Sequence, residues 1–168
     1  MSIKLLLNIA PALGVLVAAI ALYYQILRSR FSMNLDLVLK LDERFNAADF
    51  KNIRSKASSL LLTKRTKNNL KRAEDVFDFF ETLGYMVKHK ALDKNIVWHT
   101  FYYWVHGYWS IGKDYILSSR QEESDKSIWE DFEWLHNELL KIERVKGKKS
   151  ECELICQEKI IEFLKDEK

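Results

Sequence analysis

The sequence predicts an all-α protein in which one N-terminal transmembrane helix is followed by a bundle of five or six helices. Three observations support this class. An uncharged apolar run opens the chain, later apolar residues recur at intervals of three and four, and the 168 residues include one Pro and five Gly. A many-stranded β fold needs a turn signal about every 8–12 residues, which so few Gly and Pro do not supply. We therefore expect two domains: an anchor over residues 1–30 and one modest helical bundle over residues 31–168.

The apolar run, residues 5–27, is the strongest signal in the chain. It holds no charge over 23 positions, and a helix of that length measures roughly 34 Å, enough to cross a bilayer. Arg28 and Arg30 follow the run, whereas only Lys4 precedes it. The positive-inside rule then predicts a single-pass protein of the inner (cytoplasmic) membrane with its C-terminal domain in the cytoplasm. The alternative is a cleaved signal peptide with Ala19–Ala21 as its processing site.

Small residues recur every fourth position within the run. Ala10, Gly14 and Ala18 form a ridge along which two transmembrane helices can approach closely. This pattern is compatible with a homo-oligomer in the membrane. The alternative is that Ala and Gly are simply common in any span.

The helices of the bundle follow from the spacing of apolar residues. Positions 35–45 predict a first helix, positions 50–61 a second and positions 70–87 a third. A polar stretch at 63–69 separates the second helix from the third. Asp93 is a typical N-cap for a fourth helix.

Glycines and capping boxes set the remaining boundaries. Gly107 and Gly112 are expected to bend or end the fourth helix, and Gly147 to end the fifth. The pattern Ser127–Glu130 is a capping box before the fifth helix, and Ser150–Glu153 is another before the last.

Four short segments and one arginine resemble a bacterial family of unknown function. The segments are VFDFFETLG at 76–84, Leu92–Asp93, Tyr108–Trp109 and FEWL at 132–135, and Arg54 lies where that family tends to carry an arginine on its second helix. The resemblance covers roughly residues 5–140. It implies a membrane-anchored all-α domain and brings no catalytic residues.

Charge is segregated along the chain, with eight basic residues and no acid between Phe50 and Ala73. We treat these as a basic surface: Lys51, Arg54, Lys56, Lys64, Arg65, Lys67, Lys71 and Arg72. Three interpretations compete: a solvated face paired with the domain's own acids, contact with anionic membrane lipid, or binding of a nucleic acid or nucleotide. Residues 31–168 carry 24 acids and 24 of the 27 basic residues, and no aromatic residue lies within the basic run. Nucleic acid is therefore disfavoured.

Arg54 and Glu81 both lie beside apolar positions of their helices and on recurrent positions of the family pattern. We expect a structural ion pair between them that sets helix register. The alternatives are two unrelated surface charges or a ligand site.

The segment 98–109 holds seven aromatic residues in twelve positions. Trp98, Tyr102 and Trp109 share one helical face, here the aromatic face. A helix that is apolar nearly all round is typical of the centre of a bundle. If this face is exposed instead, it is a groove for a partner.

No catalytic constellation is recognisable, so we expect no enzyme, no cofactor and no metal. Glu133 and His136 have the E-x-x-H spacing of di-iron bundles, but that chemistry needs a second such motif. Cys152 and Cys156 are expected to be reduced thiols in the cytoplasm. The sequence predicts a membrane-anchored interaction module that binds a protein partner, itself or anionic lipid. The alternative is a membrane effector of a bacterial defence or stress system, gated by a nucleotide or phosphorylated signal.

Overall fold

A computed structural model describes residues 3–63, 66–146 and 157–167, with side chains from residue 13 onward except those of residues 157 and 158. Within these ranges the chain forms seven helices and no strand, which confirms the all-α prediction. The helices are α1 (Ile3–Asn46), α2 (Ala48–Thr63), α3 (Lys67–Lys71), α4 (Glu74–Lys88), α5 (Lys94–Glu122), α6 (Glu130–Lys146) and α7 (Gln157–Asp166).

The chain divides into two compact units, Met1–Leu37 and Val38–Lys168. Helix α1 belongs to both, so the helix expected over 35–45 is continuous with the apolar helix. The division lies beyond residue 30 because Leu41 and Phe45, near the end of α1, are buried in the second unit.

The first unit holds one helix that is long and apolar enough to cross a membrane. By length and composition this candidate span is Leu13–Asn46, and none of the side chains in its most apolar window is buried. No heavy atom lies within 4 Å of a Cβ built on Gly14, and Ala18 is exposed. The side chain of Ala10 lies outside the described residues. Self-association along this ridge therefore stays a prediction.

The core of the second unit is aromatic. Phe132 of α6 stacks between two rings of α4, with centroid distances of 5.9 Å to Phe77 and 5.3 Å to Phe80. Phe45 of α1 packs edge-on against Phe101 of α5 at 5.7 Å. All five rings are fully buried. Such clusters bury large apolar areas and explain why helices joined by short loops pack into one unit.

Helix α5 runs without a break through Gly107 and Gly112, so the expected bend or end there is wrong. The glycines serve packing instead. A Cβ on Gly107 would lie 2.5 Å from the ring of Phe163, and one on Gly112 would lie 2.6 Å from the ring of Phe77. Each ring occupies the space that the side chain of any residue other than glycine would fill at that position.

The helix starts were predicted with mixed success. The Asp93 cap is confirmed, because its Oδ1 accepts hydrogen bonds from the backbone N–H groups of Asn95 at 2.8 Å and Ile96 at 3.3 Å. The Ser127 capping box is wrong: α6 begins only at Glu130, and the Ser127 hydroxyl donates to Asp125. The box at Ser150–Glu153 lies outside the described residues.

Candidate functional site

Arg54 of α2 is buried in an ion pair with Glu167, just beyond the end of α7. Its Nη1 donates to both carboxylate oxygens of Glu167 at 2.7 Å, and the two side chains are only 5% and 7% exposed. The expected ion pair between Arg54 and Glu81 is therefore wrong. It also follows that Arg54 is not part of an exposed basic surface.

Glu81 is engaged elsewhere, at the start of α6. Its carboxylate accepts hydrogen bonds from the backbone N–H groups of Asp131 at 3.2 Å and Phe132 at 2.7 Å. These are first-turn N–H groups that no intrahelical carbonyl can satisfy. Glu81 therefore caps α6 from α4, in the role expected of Ser127. Burial raises the pKa of Glu81, although the hydrogen bonds from Phe132 and Asp131 lower it in part.

Two further donors converge on the carboxylate of Glu167, both from α5. The indole Nε1 of Trp104 donates to Oε1 at 2.8 Å, and the hydroxyl of Tyr108 donates to Oε2 at 2.9 Å. The guanidinium carbon of Arg54 lies 3.9 Å from the centroid of the Phe45 ring, a cation–π contact. We call Arg54, Trp104 and Tyr108 the Arg54 site. It binds one carboxylate through three side chains in a buried setting, where charge-assisted hydrogen bonds are strong.

Tyr108 acts in this site as a permanent donor. Burial, followed by the negative charge of Glu167, raises the pKa of Tyr108 well above its ordinary value. The phenol therefore keeps its proton throughout the physiological pH range. The arrangement suits binding of an anion.

The remainder of α7 docks beside the Arg54 site through an aromatic contact. Phe163 is buried over Gly107 and packs edge-on against Tyr108, with ring centroids 5.2 Å apart. Tyr103 flanks the same ring at 5.3 Å, and its hydroxyl donates to Asp166 at 2.9 Å. An aromatic ring and a carboxylate of one short segment are thus held by α2 and α5.

The other members of the predicted basic surface fall into three groups. Lys67 forms an exposed ion pair in which its Nζ lies 2.6 Å from Glu122 Oε1, as expected if the surface pairs with the domain's own acids. Lys64 and Arg65 lie outside the described residues. The last group is exposed and has no ion pair with any described residue: Lys51, Lys56, Lys71 and Arg72.

The aromatic face contacts α6, which covers it in part. Trp109 is buried, and Trp98 and Tyr102 are half-buried. The indole Nε1 of Trp98 donates to Glu143 of α6 at 3.1 Å. The face therefore belongs to the interface between α5 and α6, as expected for the central helix of a bundle.

His106 and His136 form a second buried polar feature in that interface. The rings of Tyr102, His106, His136 and Trp109 lie in one stack. Burial, followed by the neighbouring His106, lowers the pKa of His136 to about 3. In the sequence, His136 stood out only for its E-x-x-H spacing with Glu133. Its position four residues after Phe132, on the apolar stripe of α6, was the signal for burial.

Among the described residues, no group of three or more His, Cys, Asp or Glu side chains is placed to hold a metal ion. Cys152 and Cys156 lie outside them. The most specific chemistry that the described part of the chain offers is therefore the carboxylate binding of the Arg54 site.

Comparison with known families finds one match. The family described as a domain of unknown function, DUF4760, matches residues 8–139. No curated protein and no solved structure matches the chain. The matched range contains Arg54, Trp104 and Tyr108, whereas α7 and Glu167 lie beyond it.

Proposed function

The chain belongs to the DUF4760 family, a domain of unknown function, and we propose that it is a membrane-anchored interaction module. In this proposal α1 crosses the inner membrane once, and the helical domain binds a protein partner in the cytoplasm. Membrane lipid and a second copy of the chain are further partners. The resemblance to a family of unknown function is confirmed by the match, but the family supplies no activity, so the proposal depends on the chain's own surfaces.

The exposed apolar surface of α1 is the observation that carries the proposal. Val15, Leu16 and Val17 are between 57% and 71% exposed, and the other large apolar side chains from Leu13 to Leu27 are between 45% and 67% exposed. Exposed apolar surface costs about 25 cal/mol per Å² in water and nothing comparable in lipid. Arg28 and Arg30 at the C-terminal end of the apolar run support a cytoplasmic domain.

The Arg54 site supports the interaction half of the proposal. A buried Arg, an indole N–H and a phenol converge on one carboxylate, and the groove over Gly107 takes an aromatic ring. Trp, Tyr and Arg are the residues that most often dominate binding energy at protein interfaces. Here they hold α7, which shows what kind of segment fits the site.

The four exposed basic residues between the start of α2 and Arg72, just after α3, support contact with anionic lipid. Each Lys or Arg near an anionic leaflet contributes roughly 1 kcal/mol of attraction. These residues are Lys51, Lys56, Lys71 and Arg72. The contribution is secondary, because the hydrophobic anchor alone accounts for membrane attachment.

Fractionation and protease protection test the anchor and its orientation. The full-length protein is expected in the membrane fraction after alkaline washing, and Leu16→Arg is expected to lower that yield, whereas Leu16→Ile is not. Protease is expected to digest the helical domain in inside-out vesicles and to spare it in intact spheroplasts. Recovery of the intact chain in the soluble fraction, or digestion from outside, would overturn the proposal.

Site-specific crosslinking tests the interaction. A photoreactive residue at the exposed Tyr103, beside the Arg54 site, is expected to give a discrete crosslinked product in cells. The same residue at the exposed Tyr85 of α4 is the matched control and is expected to give none. Three results together would rule out the interaction module: no crosslinked product from either position, a strictly monomeric protein, and no binding to anionic vesicles.

A ligand-gated membrane effector is the second candidate. One observation favours it: three donors converge on a single anionic group, and a phosphorylated ligand also presents anionic oxygens. Thermal-shift measurements with nucleotides distinguish the two functions. Stabilisation of the wild type that Arg54→Gln abolishes would support the effector, and an absence of stabilisation would remove it.

A further inference from the structure

We propose that the Arg54 site is a receptor for an acidic helix of a partner protein, and that α7 is a built-in competitor that occupies it. The fitting helix carries a Phe and a Glu four residues apart, as Phe163 and Glu167 are in this chain. This inference rests on the proposed function and specifies its partner.

The geometry defines what the site recognises. The backbone N–H of Glu167 donates to the carbonyl of Phe163 at 3.1 Å, so the helical path reaches Glu167 and places both side chains on one face. The ring enters the space over Gly107, and the carboxylate enters the Arg54 site. A ligand therefore needs both groups at this spacing, which a small anion or a disordered acidic tail does not provide.

Receptor and occupant belong to different parts of the chain. Arg54, Trp104 and Tyr108 lie within the range matched by the family, 8–139, whereas α7 lies beyond it. The matched range thus holds all three donors, and the carboxylate that they bind lies outside it.

Glu167 uses the site incompletely. Only Nη1 of Arg54 reaches both of its oxygens, and the buried Nε of Arg54 has no hydrogen-bond partner among the described residues. A carboxylate that met the guanidinium through Nε and one Nη would make the same number of hydrogen bonds to it, two, and would also satisfy the buried Nε. A partner helix with that geometry would not leave the buried Nε of Arg54 unpaired.

A tethered competitor lowers the apparent affinity for a free helix. Short tethers hold a segment at an effective concentration of about 1 mM, so α7 excludes weak ligands while it is docked. Loosening α7 must therefore tighten binding of a free helix, and damage to the Arg54 site must abolish that binding.

A fluorescent peptide with the sequence of residues 157–168 is the probe, and the full-length protein in detergent is the receptor. The wild type is expected to bind the peptide weakly. The variant Phe163→Ala/Glu167→Gln, with its own α7 weakened, is expected to bind it at least about tenfold more tightly. Glu162→Gln removes an exposed acid from the same helix and is the matched control, with binding as in the wild type.

Changes in the receptor and in the peptide complete the test. In the weakened background, Arg54→Gln and Trp104→Phe are each expected to lower peptide affinity at least about tenfold. A peptide with Gln in place of Glu167 is expected not to bind. Asp166→Ala in the protein, which removes from its own α7 the acceptor of the Tyr103 hydrogen bond and leaves the peptide unchanged, is expected to raise peptide affinity by a smaller factor, so the proposal stays testable if the double variant unfolds.

Equal peptide binding by the wild type and by Asp166→Ala or the folded double variant would overturn the proposal. Peptide binding that survives Arg54→Gln would do the same. Membrane attachment and crosslinking at Tyr103 do not depend on this peptide. If both experiments give the expected results while the peptide does not bind as expected, the interaction module is retained and only this choice of partner is excluded.

Discussion

His106 and His136 pack face to face in the interface between α5 and α6, with ring centroids 5.3 Å apart and planes 14° from parallel. Nδ1 of His106 lies 3.1 Å from Nε2 of His136, so one ring nitrogen donates and the other accepts. This pairing requires a neutral acceptor. The interface therefore depends on two histidines of which at least one is uncharged.

We expect the stability of the domain to fall as the pH falls from about 6.5 towards 3. The unfolded chain protonates His136 near its ordinary pKa of about 6.5, whereas the folded chain keeps it neutral until its pKa of about 3. Because the unfolded state binds the extra proton, this group lowers the free energy of unfolding by at most about 1.4 kcal/mol per pH unit in that window. Above pH 6.5 the contribution is constant.

Denaturant titrations at pH 7, 5.5 and 4.5 measure this effect. His136→Gln is expected to flatten the pH dependence, and the exposed His99→Gln is the control that leaves it unchanged. Equal slopes for His136→Gln and wild type would show that the stack does not control acid stability.

Glu81→Ala is expected to destabilise the domain by about 1–2 kcal/mol, the usual cost of losing a helix cap. The substitution leaves the backbone N–H groups of Asp131 and Phe132 without their acceptor. The midpoint of urea unfolding measures the change. Glu130→Ala removes a nearby acid whose ion pair with Lys88 is exposed, and it is expected to shift the midpoint much less. A larger shift for Glu130→Ala than for Glu81→Ala would contradict the capping role.

Gly84→Ala is expected to destabilise the domain by at least about 2 kcal/mol, because the new Cβ would overpack a rigid contact. That Cβ would lie 2.1 Å from the backbone carbonyl oxygen of Asp131, so α4 and α6 would have to move apart. Thermal unfolding followed by circular dichroism measures the loss. Gly14→Ala, where nothing lies within 4 Å, is the control and is expected to leave the melting temperature of the domain unchanged. A Gly84→Ala protein as stable as the wild type would exclude the close approach.

Gly14→Leu is expected to weaken self-association in membranes, because a large side chain separates helices that pack along Ala10, Gly14 and Ala18. Crosslinking in native membranes measures the dimer fraction. Ala19→Leu adds nearly as much bulk on a different face of the same helix and is expected to have no effect. Unchanged crosslinking with Gly14→Leu would remove the ridge from consideration.

The positions of most helices could be predicted because helix periodicity is a local property. The spacing of apolar residues placed α2, α5 and α6, and Asp93 marked a start that is confirmed. The expected helix over 70–87 divides at Arg72–Ala73 into the short α3 and α4. The change from polar to apolar residues at this point is too gradual to reveal the break.

The candidate site was only half predictable. Arg54 stood out as a charge among apolar positions, but its partner was assigned to Glu81 instead of Glu167. The two carboxylates look alike in sequence, and 113 residues separate Arg54 from the one it binds. Helical periodicity shows which positions of one helix face the core, but it does not show which remote segment packs against them.

The class of the protein could be predicted from local sequence: an uncharged apolar helix, then a helical domain with a central aromatic helix. These features depend on local hydrophobicity and on helix geometry, which each segment carries alone. Which groups meet depends instead on how the helices pack. Glu81 caps α6, Gly107 receives Phe163, and Glu167 reaches Arg54, because long-range packing selects among chemically equivalent partners by shape and burial.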